Sequence, residues 1–311
     1  MQPLLLLLLP LVTTLASALS APSTRNLTVA NERIIGGAAS APGDFPSAVS
    51  LVIRMSNGVG ICGGTLITDS LVLTAAHCVY NYATQSPWPA RNMRIGYGDN
   101  LVDRQSITEG LSVHIHPEFD PSEPHNDIAL IAIPPVQADT AVPAQIFTGA
   151  LPPGTHLTAV GWGKTSNDPA VSLPNALRQT EIVIGDRATC SQFIPSYVSS
   201  DGPQICTENR LNKGSDTCQA DSGTGVFAVV RGRSYLAGLT SYGANLAGDP
   251  TCALDDGFAV YTHVAYYRQF IDQVTAMVAR RRHSFRHRRH RGKDDVVGHA
   301  KDMFVANRLS K

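Results

Sequence analysis

The strongest constraint on how this chain folds is a series of short apolar runs that extends from residue 34 to about residue 260. Runs such as GGTLI, DIALIAI, TEIVIG and GVFAVV are rich in Val, Ile and Thr, and Gly, Pro, Asn or Asp separates them from one another. Runs of this length and composition are typical of strands. The 20 prolines of the chain also fit a loop-rich sheet protein. We therefore expect an all-β architecture.

A single helix is expected after these runs. In residues 263–279, HVAYYRQFIDQVTAMVA, apolar side chains recur at spacings of three and four residues. This spacing places them in one stripe along a helix, which predicts that the helix packs against the rest of the protein. The members of the stripe are Val264, Tyr267, Ile271, Val274 and Val278.

The formal net charge is zero, but the charges separate along the chain. Residues 34–279 hold 12 basic and 21 acidic side chains, whereas residues 280–311 hold 11 basic and 3 acidic ones. The segment 280–293, RRRHSFRHRRHRGK, is predicted to be disordered or to extend the helix, because like charges at this density repel one another. Three interpretations stay open for it: a solvated tail trimmed by proteases, a contact for polyanions, or a self-inhibitory segment. No nucleic-acid partner is expected.

The N-terminus, MQPLLLLLLPLVTTLASALSA, predicts a signal peptide over residues 1–18. Its apolar segment is too short to span a membrane, and Ala16-Ser17-Ala18 fits the A-x-A cleavage pattern. No membrane span is expected later in the chain, so we expect a secreted, monomeric protein. In an oxidising compartment, six cysteines suggest three disulfides, although their spacing leaves the pairing open. A zinc site is disfavoured because no C-x-x-C or H-x-x-x-H lies near them.

Three strings carry residues suited to nucleophilic catalysis. LTAAHC contains His77, HNDIALIAI contains Asp127 at the start of an apolar run, and DTCQADSGTG contains Ser222 among small residues. Taken singly, each has a structural explanation: a structural histidine, a turn aspartate and a flexible loop. Together they are what a serine nucleophile requires, because an imidazole must take the hydroxyl proton and a buried carboxylate must fix the imidazole tautomer.

Five strings, IIGG at residue 34, AAHC, NDIAL, GWG and DSG, together resemble the chymotrypsin/trypsin-type serine proteases over residues 34–279. The resemblance implies two packed six-stranded antiparallel β-barrels followed by a C-terminal α-helix. It implies that His77 is the general base, that Asp127 orients it, and that Ser222 attacks the scissile carbonyl. The backbone N–H groups of Ala220 and Ser222 would form the oxyanion hole, and neither a cofactor nor a metal is expected. The implied disulfides are Cys62–Cys78, Cys190–Cys206 and Cys218–Cys252.

The resemblance also predicts the substrate. Asp216 lies six residues before Ser222, where trypsin-like members of the family carry a carboxylate at the base of the primary pocket. A buried carboxylate requires a cation, so we expect protein or peptide substrates with Arg or Lys before the scissile bond; a surface aspartate in NKGSDT is the alternative. The segment Ser241-Tyr242-Gly243 resembles the one that pairs with extended substrate backbone. The remaining expected pocket residues are Thr217 and Ala259.

The string ERIIGG predicts an activation site. Cleavage after Arg33 would free the amine of Ile34, which in this family pairs with the aspartate before the nucleophile, here Asp221. The propeptide would be residues 19–33, and a glycan on Asn26, in the only N-x-[ST] sequon of the chain, would leave with it. Because the expected specificity matches Arg33, activation could be autocatalytic.

The sequence departs from the family at several positions. Ala220 stands where the family has glycine, and its Cβ would oppose the required backbone angles if φ were positive. Loss of one such oxyanion donor costs about 10²–10³ in rate. Gly223-Thr224-Gly225 replaces the usual Gly-Gly-Pro, and Ala259 replaces a glycine in the pocket wall, which would narrow the pocket.

Two functions from different classes therefore stay open: an active trypsin-like endopeptidase, and a catalytically weak homologue that serves as a binding module. A third, an α/β-hydrolase esterase, fails because the chain has no G-x-S-x-G and its partners come in another order. Asp99, Asp103 and Glu109 are candidate calcium ligands, although solvated surface explains them more simply.

Overall fold

The computed structural model describes residues 35–123, 125–137, 139–212 and 214–282. The predicted signal peptide and propeptide lie outside these ranges, with Asn26, Arg33 and Ile34, and so do residues 283–311 of the predicted tail. The interpretations of those segments therefore stay predictions.

The described chain is mostly strands, as its runs of Val, Ile and Thr predict. The strands are β1 (Ala38–Ala39), β2 (Ala48–Met55), β3 (Gly58–Thr68), β4 (Leu71–Thr74), β5 (Tyr80–Asn81), β6 (Ser86–Pro87), β7 (Met93–Tyr97), β8 (Ser106–Glu109), β9 (Ser112–Ile115), β10 (Ala129–Ala132), β11 (Gln145–Ile146), β12 (His156–Gly161), β13 (Arg178–Val183), β14 (Gln204–Glu208), β15 (Gly225–Val230), β16 (Arg233–Asn245) and β17 (Gly257–His263). The helices are α1 (Ala76–Val79), α2 (Arg187–Phe193), α3 (Asn209–Asn212) and the C-terminal α4 (268–282), and 3₁₀ turns span Ala90–Asn92 and Val102–Arg104.

The first barrel has six strand positions. Strands β7, β2, β3, β4 and β10 are hydrogen-bonded in that order, and β8 and β9 join the two ends, since β8 pairs with β7 and β9 with β10. Only Gly110 and Leu111 separate β8 from β9, and their N–H groups donate to Met93 O and Ala132 O, on the same two partner strands. The two short strands thus act as one bent strand that closes the sheet.

The second barrel is built from β13, β12, β15, β16, β17 and β14, in that order. A bridge between Ile184 and Thr207 joins β13 to β14, and the Gly185 N–H donates to Cys206 O at 3.0 Å beside it, so this sheet also closes. The short strands β1 and β11 add to β13 and β16. The predicted fold class, two six-stranded antiparallel barrels with a C-terminal helix, is confirmed.

Each barrel has its own apolar interior. Alternate residues of β2, namely Val49, Leu51 and Ile53, are fully buried in the first barrel, as the two-residue period of a strand requires. Ile182 and Val226 are fully buried in the second. The core of each barrel is therefore built by the inward-facing side chains of its strands. This leaves the loops at the barrel ends available to form a site.

A third apolar cluster lies where the two barrels and α4 meet. It contains Leu73 of the first barrel and Phe227 of the second, and the predicted helical stripe packs against them. All five members of that stripe are buried: Val264, Tyr267, Ile271, Val274 and Val278. The helix is shorter at its start than predicted, however, because residue 263 ends β17 and Val264 and Tyr267 lie in the turn before α4. The cluster thereby fixes the two barrels in contact with each other.

All six cysteines form disulfides, and the three implied pairings are confirmed: Cys62–Cys78, Cys190–Cys206 and Cys218–Cys252. Each pair closes a loop next to strands of a barrel. Among the residues that the structure describes, no helix has the length and apolar character needed to cross a membrane.

Candidate active site

The barrels bring His77 and Asp127 together because β4 and β10 are neighbours. Thr74, the last residue of β4, lies opposite Ala129, the first of β10. His77 follows β4 on the short helix α1, and Asp127 comes directly before β10, after Asn126 with a φ of 53°. The His77 backbone N–H donates to Asp127 Oδ1 at 2.9 Å, and the His77 Nδ1 atom lies 2.7 Å from Asp127 Oδ2.

These contacts fix the tautomer of the imidazole. A carboxylate can only accept, so Nδ1 carries the proton and Nε2 is left able to accept another. Burial by itself lowers the pKa of His77, but the negative charge and the hydrogen bond of Asp127 outweigh it, and the pKa lies above its ordinary value. Ser241 Oγ donates to Asp127 Oδ2 at 2.5 Å. Burial opposes ionisation of Asp127, yet His77 and these donors together lower its pKa.

Ser222 lies on a tight turn of the second barrel that touches the first. The Gly63 N–H on β3 donates to Ser222 O at 2.8 Å, and the Gly223 N–H donates to Thr240 O at 2.7 Å. Gly223 has a φ of 76°, and a Cβ there would meet Thr74 Oγ1 at 2.3 Å, so only glycine fits. Among the described contacts, the Ser222 hydroxyl forms no hydrogen bond with the His77 imidazole. Hydrogen bonds of this kind are often loose without substrate.

The turn that carries Ser222 contains two backbone N–H groups without a described acceptor. Within the described ranges, neither the Ala220 N–H nor the Ser222 N–H donates to a protein atom, whereas the Asp221 N–H between them donates to Cys218 O at 3.0 Å. The turn therefore leaves two amides available for a developing negative charge. Ala220 has a φ of 75°, the condition under which its side chain was expected to cause strain.

A cavity of about 200 Å³ opens next to Ser222. Asp216 and the disulfide residues Cys218 and Cys252 form part of its wall. The structure thus brings together all the expected pocket residues: Asp216, Thr217, Ser241, Tyr242, Gly243 and Ala259. Gly243 lies opposite Ala259 in the paired strands β16 and β17, and a Cβ on Gly243 would come within 2.8 Å of Phe258 O.

Asp216 is the charged group of this cavity, with only 4% of its surface exposed. Its Oδ2 atom accepts from the Asn209 side-chain amide at 3.0 Å and from the Ala253 N–H at 2.8 Å. Its Oδ1 atom has no partner among the described residues. Burial raises the pKa of Asp216 to about 6. An unpaired oxygen at this depth is a strong acceptor for a cationic ligand.

Asp221 is fully buried directly before Ser222. Its carboxylate accepts from the Gly163 N–H at 2.7 Å and from the Cys218 N–H at 2.9 Å, and no described residue forms an ion pair with it. Burial raises its pKa to about 7. A Cβ on Gly161 or on Gly163 would overlap the Asp221 side chain. The GWG string is therefore required because it makes room for this carboxylate.

A sequence model of the family described as Trypsin matches residues 34–271 of the chain. This protein belongs to the trypsin family. It is 29% identical over 282 residues to the mouse protein "Tryptase", which covers 87% of this chain and 97% of the relative. It is 31% identical over 248 residues to "Serine protease 1" of the rat, or 79% of this chain and 91% of the relative.

The chain is also similar to longer proteins. It is 31% identical over 268 residues to human "Serine protease 56", which covers 83% of this chain but 42% of that protein. The chain therefore spans less than half the length of this relative. The family membership agrees with the two closed barrels and with the residues that lie together at their ends.

One departure from the family pattern now has a structural reason. Thr224 replaces a residue of the usual Gly-Gly-Pro, and its hydroxyl donates to Asp221 O at 2.6 Å and lies 3.1 Å from Thr240 Oγ1. Its methyl group packs where a Cβ on Gly63 would otherwise lie. The threonine thus fastens the turn that carries Ser222 in this trypsin-family chain.

Sequence reasoning missed Asn209, the side chain that holds Asp216. Asn209 begins the four-residue helix α3 in the string TENRLN, and an asparagine there gives no signal of a pocket role. It also missed the wall residues Pro250 and Thr251, which lie in a loop without regular structure.

The candidate metal ligands do not come together. Among the described residues, Cys62, His77 and Cys78 are the one group of possible ligand atoms within 4.8 Å of one another, and its two cysteines are already joined in a disulfide. Asp99 Oδ1 accepts from the Leu101 N–H within its own loop. The disulfide and the Asp99 hydrogen bond are contacts that stabilise the local structure.

Proposed function

We propose that this chain is a secreted serine endopeptidase that cleaves peptide bonds after Arg or Lys through an acyl-enzyme. The Ser222 Oγ atom would attack the scissile carbonyl carbon while its proton passes to Nε2 of His77. Asp127 would hold the imidazole in the required tautomer and stabilise the imidazolium. The hydroxyl–imidazole contact would form as substrate enters and excludes water.

The remaining steps of the proposed catalytic cycle would use the same side chains and two backbone N–H groups. The N–H donors of Ala220 and Ser222 would hold the oxyanion of the tetrahedral intermediate. The imidazolium would then give its proton to the leaving amine as the C–N bond breaks. Water would attack the remaining ester with His77 again as base, and this step frees the acid and restores Ser222.

The observation that carries the specificity is the unpaired Oδ1 atom of buried Asp216 in the cavity beside Ser222. Its pKa of about 6 leaves it ionised at neutral pH, where it requires a cation. Arg and Lys are the side chains that combine such a charge with enough length to reach the base of a pocket.

Replacing Asp216 with Ser tests this assignment. We expect kcat/KM for arginyl peptides to fall by at least about 10²-fold, because the substrate cation would lose a buried partner. Acylation of Ser222 by a small uncharged reagent should be unchanged, since the triad is intact. Asp272→Ser, which removes an exposed carboxylate on α4, serves as the control. A wild-type preference for Phe or Leu would contradict the assignment.

We also propose that the chain is made as a zymogen, with a signal peptide (1–18), a propeptide (19–33), a protease domain (34–279) and a basic tail (280–311). Cleavage after Arg33 would supply the Ile34 amine as the cation that Asp221 needs. Asp221 is fully buried and no described residue forms an ion pair with it, which supports this step. A glycan on Asn26 would leave with the propeptide, and the tail would offer a contact for polyanions.

A second candidate, a weak homologue used as a binding module, is favoured by the positive φ of Ala220. A left-handed alanine costs about 1–2 kcal/mol, so the turn could lose its oxyanion geometry part of the time. Active-site titration with an arginyl acylating reagent separates the two candidates. We expect a full burst, and a turnover up to about tenfold faster in Ala220→Gly. No burst in either protein would favour the binding module.

A further inference from the structure

Asn209 lines the cavity beside Ser222 together with Asp216, and its side chain is only 2% exposed. The Asn209 Nδ2 atom donates to Asp216 Oδ2 at 3.0 Å, and the Ala253 N–H donates to the same oxygen at 2.8 Å. The two donors come from different segments, α3 and the loop between β16 and β17. Both therefore hold the carboxylate by one of its two oxygens.

The contact between the amide and the carboxylate leaves two acceptor oxygens without partners. A carboxylate only accepts, so the amide presents its Nδ2 atom to Asp216. The Asn209 Oδ1 atom is then buried with no described partner, as is the Oδ1 atom of Asp216. Buried acceptors that lack donors favour a ligand that brings N–H groups and a positive charge.

The neighbours of Asn209 hold its amide in place. The Glu208 Oε1 atom accepts the backbone N–H that precedes α2 at 3.0 Å, and the Glu208 Oε2 atom pairs with Arg210 at 2.5 Å. A Cβ on Gly257 would come within 2.8 Å of the Asn209 Nδ2 atom, so β17 leaves room for the amide. The distance between the amide and Asp216 is therefore set by both α3 and β17.

The other charged groups near Asp216 do not replace this donor. Among the described residues, no cation pairs with Asp216. The charge of Asp216 adds to burial in raising the pKa of Asp221 and of Tyr261 on β17, so neither becomes a source of positive charge. Glu208 and Arg210 pair with each other.

Of the two donors to Asp216 Oδ2, only Asn209 uses a side chain. Burial raises the pKa of Asp216 to about 6, and the hydrogen bonds from Ala253 and Asn209 oppose that rise. A substitution at Asn209 therefore removes one of these donors without altering the backbone.

We infer that Asn209 is a positioning residue of the primary pocket, which keeps Asp216 ionised and oriented so that a cationic substrate side chain is preferred. This inference rests on the proposed function. Without the amide, the charged form of Asp216 would lose a donor, and the carboxyl group would take up a proton at higher pH. A protonated Asp216 would no longer compensate a substrate cation, although the triad would be unchanged.

Two peptide amides test the inference, identical except for Arg or citrulline, its uncharged isostere, before the scissile bond. The ratio of their kcat/KM values measures the selection of charge alone, because both reactions use the same triad and the same active enzyme. For the activated wild type, we expect an Arg preference of at least about 10²-fold near pH 8. The preference should fall as the pH decreases through about 6, where Asp216 takes up a proton.

Asn209→Leu removes the donor and keeps a side chain of similar shape. We expect it to move the midpoint of the Arg preference up by about one pH unit, which lowers the preference about fivefold near pH 6. The preference should recover near pH 8.5, where Asp216 is ionised in either protein. Asn209→Ala should give the same shift, since it also lacks the donor.

Asn212→Leu is the matched control. Asn212 is the other buried asparagine of α3, but its side chain accepts from the Val183 N–H and has no described contact with Asp216. This variant should keep the wild-type midpoint. An equal shift in Asn212→Leu, or a preference that stays low at high pH in both Asn209 variants, would overturn the inference, because either result would indicate a disturbed α3.

A midpoint that stays in place in both Asn209 variants would also overturn the role of Asn209 and leave the proposed function standing. Equal cleavage of the Arg and citrulline peptides by the wild type, or cleavage of neither, would overturn the proposed function itself. The wild-type ratio thus tests the proposed function, and the position of the midpoint in the variants tests Asn209.

Discussion

The imidazole of His77 has to be neutral to accept a proton, yet its surroundings favour the charged form. Asp127 raises the pKa of His77 above 6.5 in spite of burial, so activity should increase with pH through a value above that. The Ser241 hydroxyl moderates this effect, because it donates to the same Oδ2 atom that contacts Nδ1. In the proposed mechanism, Ser241 would therefore set part of the pH dependence although it takes no proton itself.

Ser241→Ala tests this balance. Removing a donor makes the Asp127 carboxylate more basic, so it should hold the His77 proton more tightly. We expect the acid limb of kcat/KM against pH to move up by as much as about one unit. Thr262→Val is the matched control, since the Thr262 hydroxyl donates to the Asp127 backbone carbonyl at 2.8 Å rather than to its carboxylate. An acid limb that stays in place in Ser241→Ala would contradict the argument.

Single residues also show how far the sequence could predict the site. His77, Asp127 and Ser222 stand in strings whose chemistry points to one mechanism, and the family resemblance supplies the pocket role predicted for Asp216. The unpaired oxygen of Asp216 could not be predicted, because it depends on the fact that Asn209 and Ala253 both donate to the other carboxylate oxygen, Oδ2. The sign of φ at Ala220 likewise depends on how the turn closes from Cys218 to Asp221.

Among the secondary-structure elements, composition predicts where the strands lie but does not predict how each barrel closes. Short runs of Val, Ile and Thr mark most barrel strands, and the stripe in residues 263–279 marks α4. Closure of the first barrel depends instead on Gly110 and Leu111, which join β8 to β9. A Cβ on Gly110 would come within 2.7 Å of Ala90 O, so the bend requires glycine there. Glycine is required there because of a tertiary contact, so the local sequence alone does not reveal the requirement.

The disulfides show the same difference between what the sequence predicts and what only the structure shows. The sequence alone leaves the pairing of six cysteines open, and the family pattern supplies it. The structure adds what each bond does. Cys62–Cys78 fastens α1, which carries His77, to β3, and Cys218–Cys252 ties the turn before Ser222 to the loop between β16 and β17. Both bonds hold site residues that lie on short or irregular segments.

For the whole molecule, the charges separate into an acidic region, residues 34–279, and a basic tail, residues 280–311. The chain offers two kinds of arginine site to an enzyme of its own kind. Arg33 follows Glu32 in the string ANER, whereas residues 280–293 carry eight Lys or Arg. If the proposed function holds, the net negative charge of residues 34–279 would repel Glu32 and attract the tail. A pocket that accepts Arg33 would then not be enough for efficient autocatalytic activation.

At the scale of the whole molecule, we predict which of the two kinds of site is cleaved first. When activated wild-type protein is added to the inert Ser222→Ala precursor, we expect mass spectrometry to detect cuts within residues 280–293 before the cut after Arg33. Glu32→Lys in the same inert precursor should speed the Arg33 cut by about tenfold, because the charge beside the cleaved bond changes by two units, from −1 to +1. The tail serves as the internal reference in each reaction, since its sequence is the same in both precursors. An Arg33 cut that comes first, or that Glu32→Lys leaves unchanged, would show that the acidic charge of the enzyme does not govern activation.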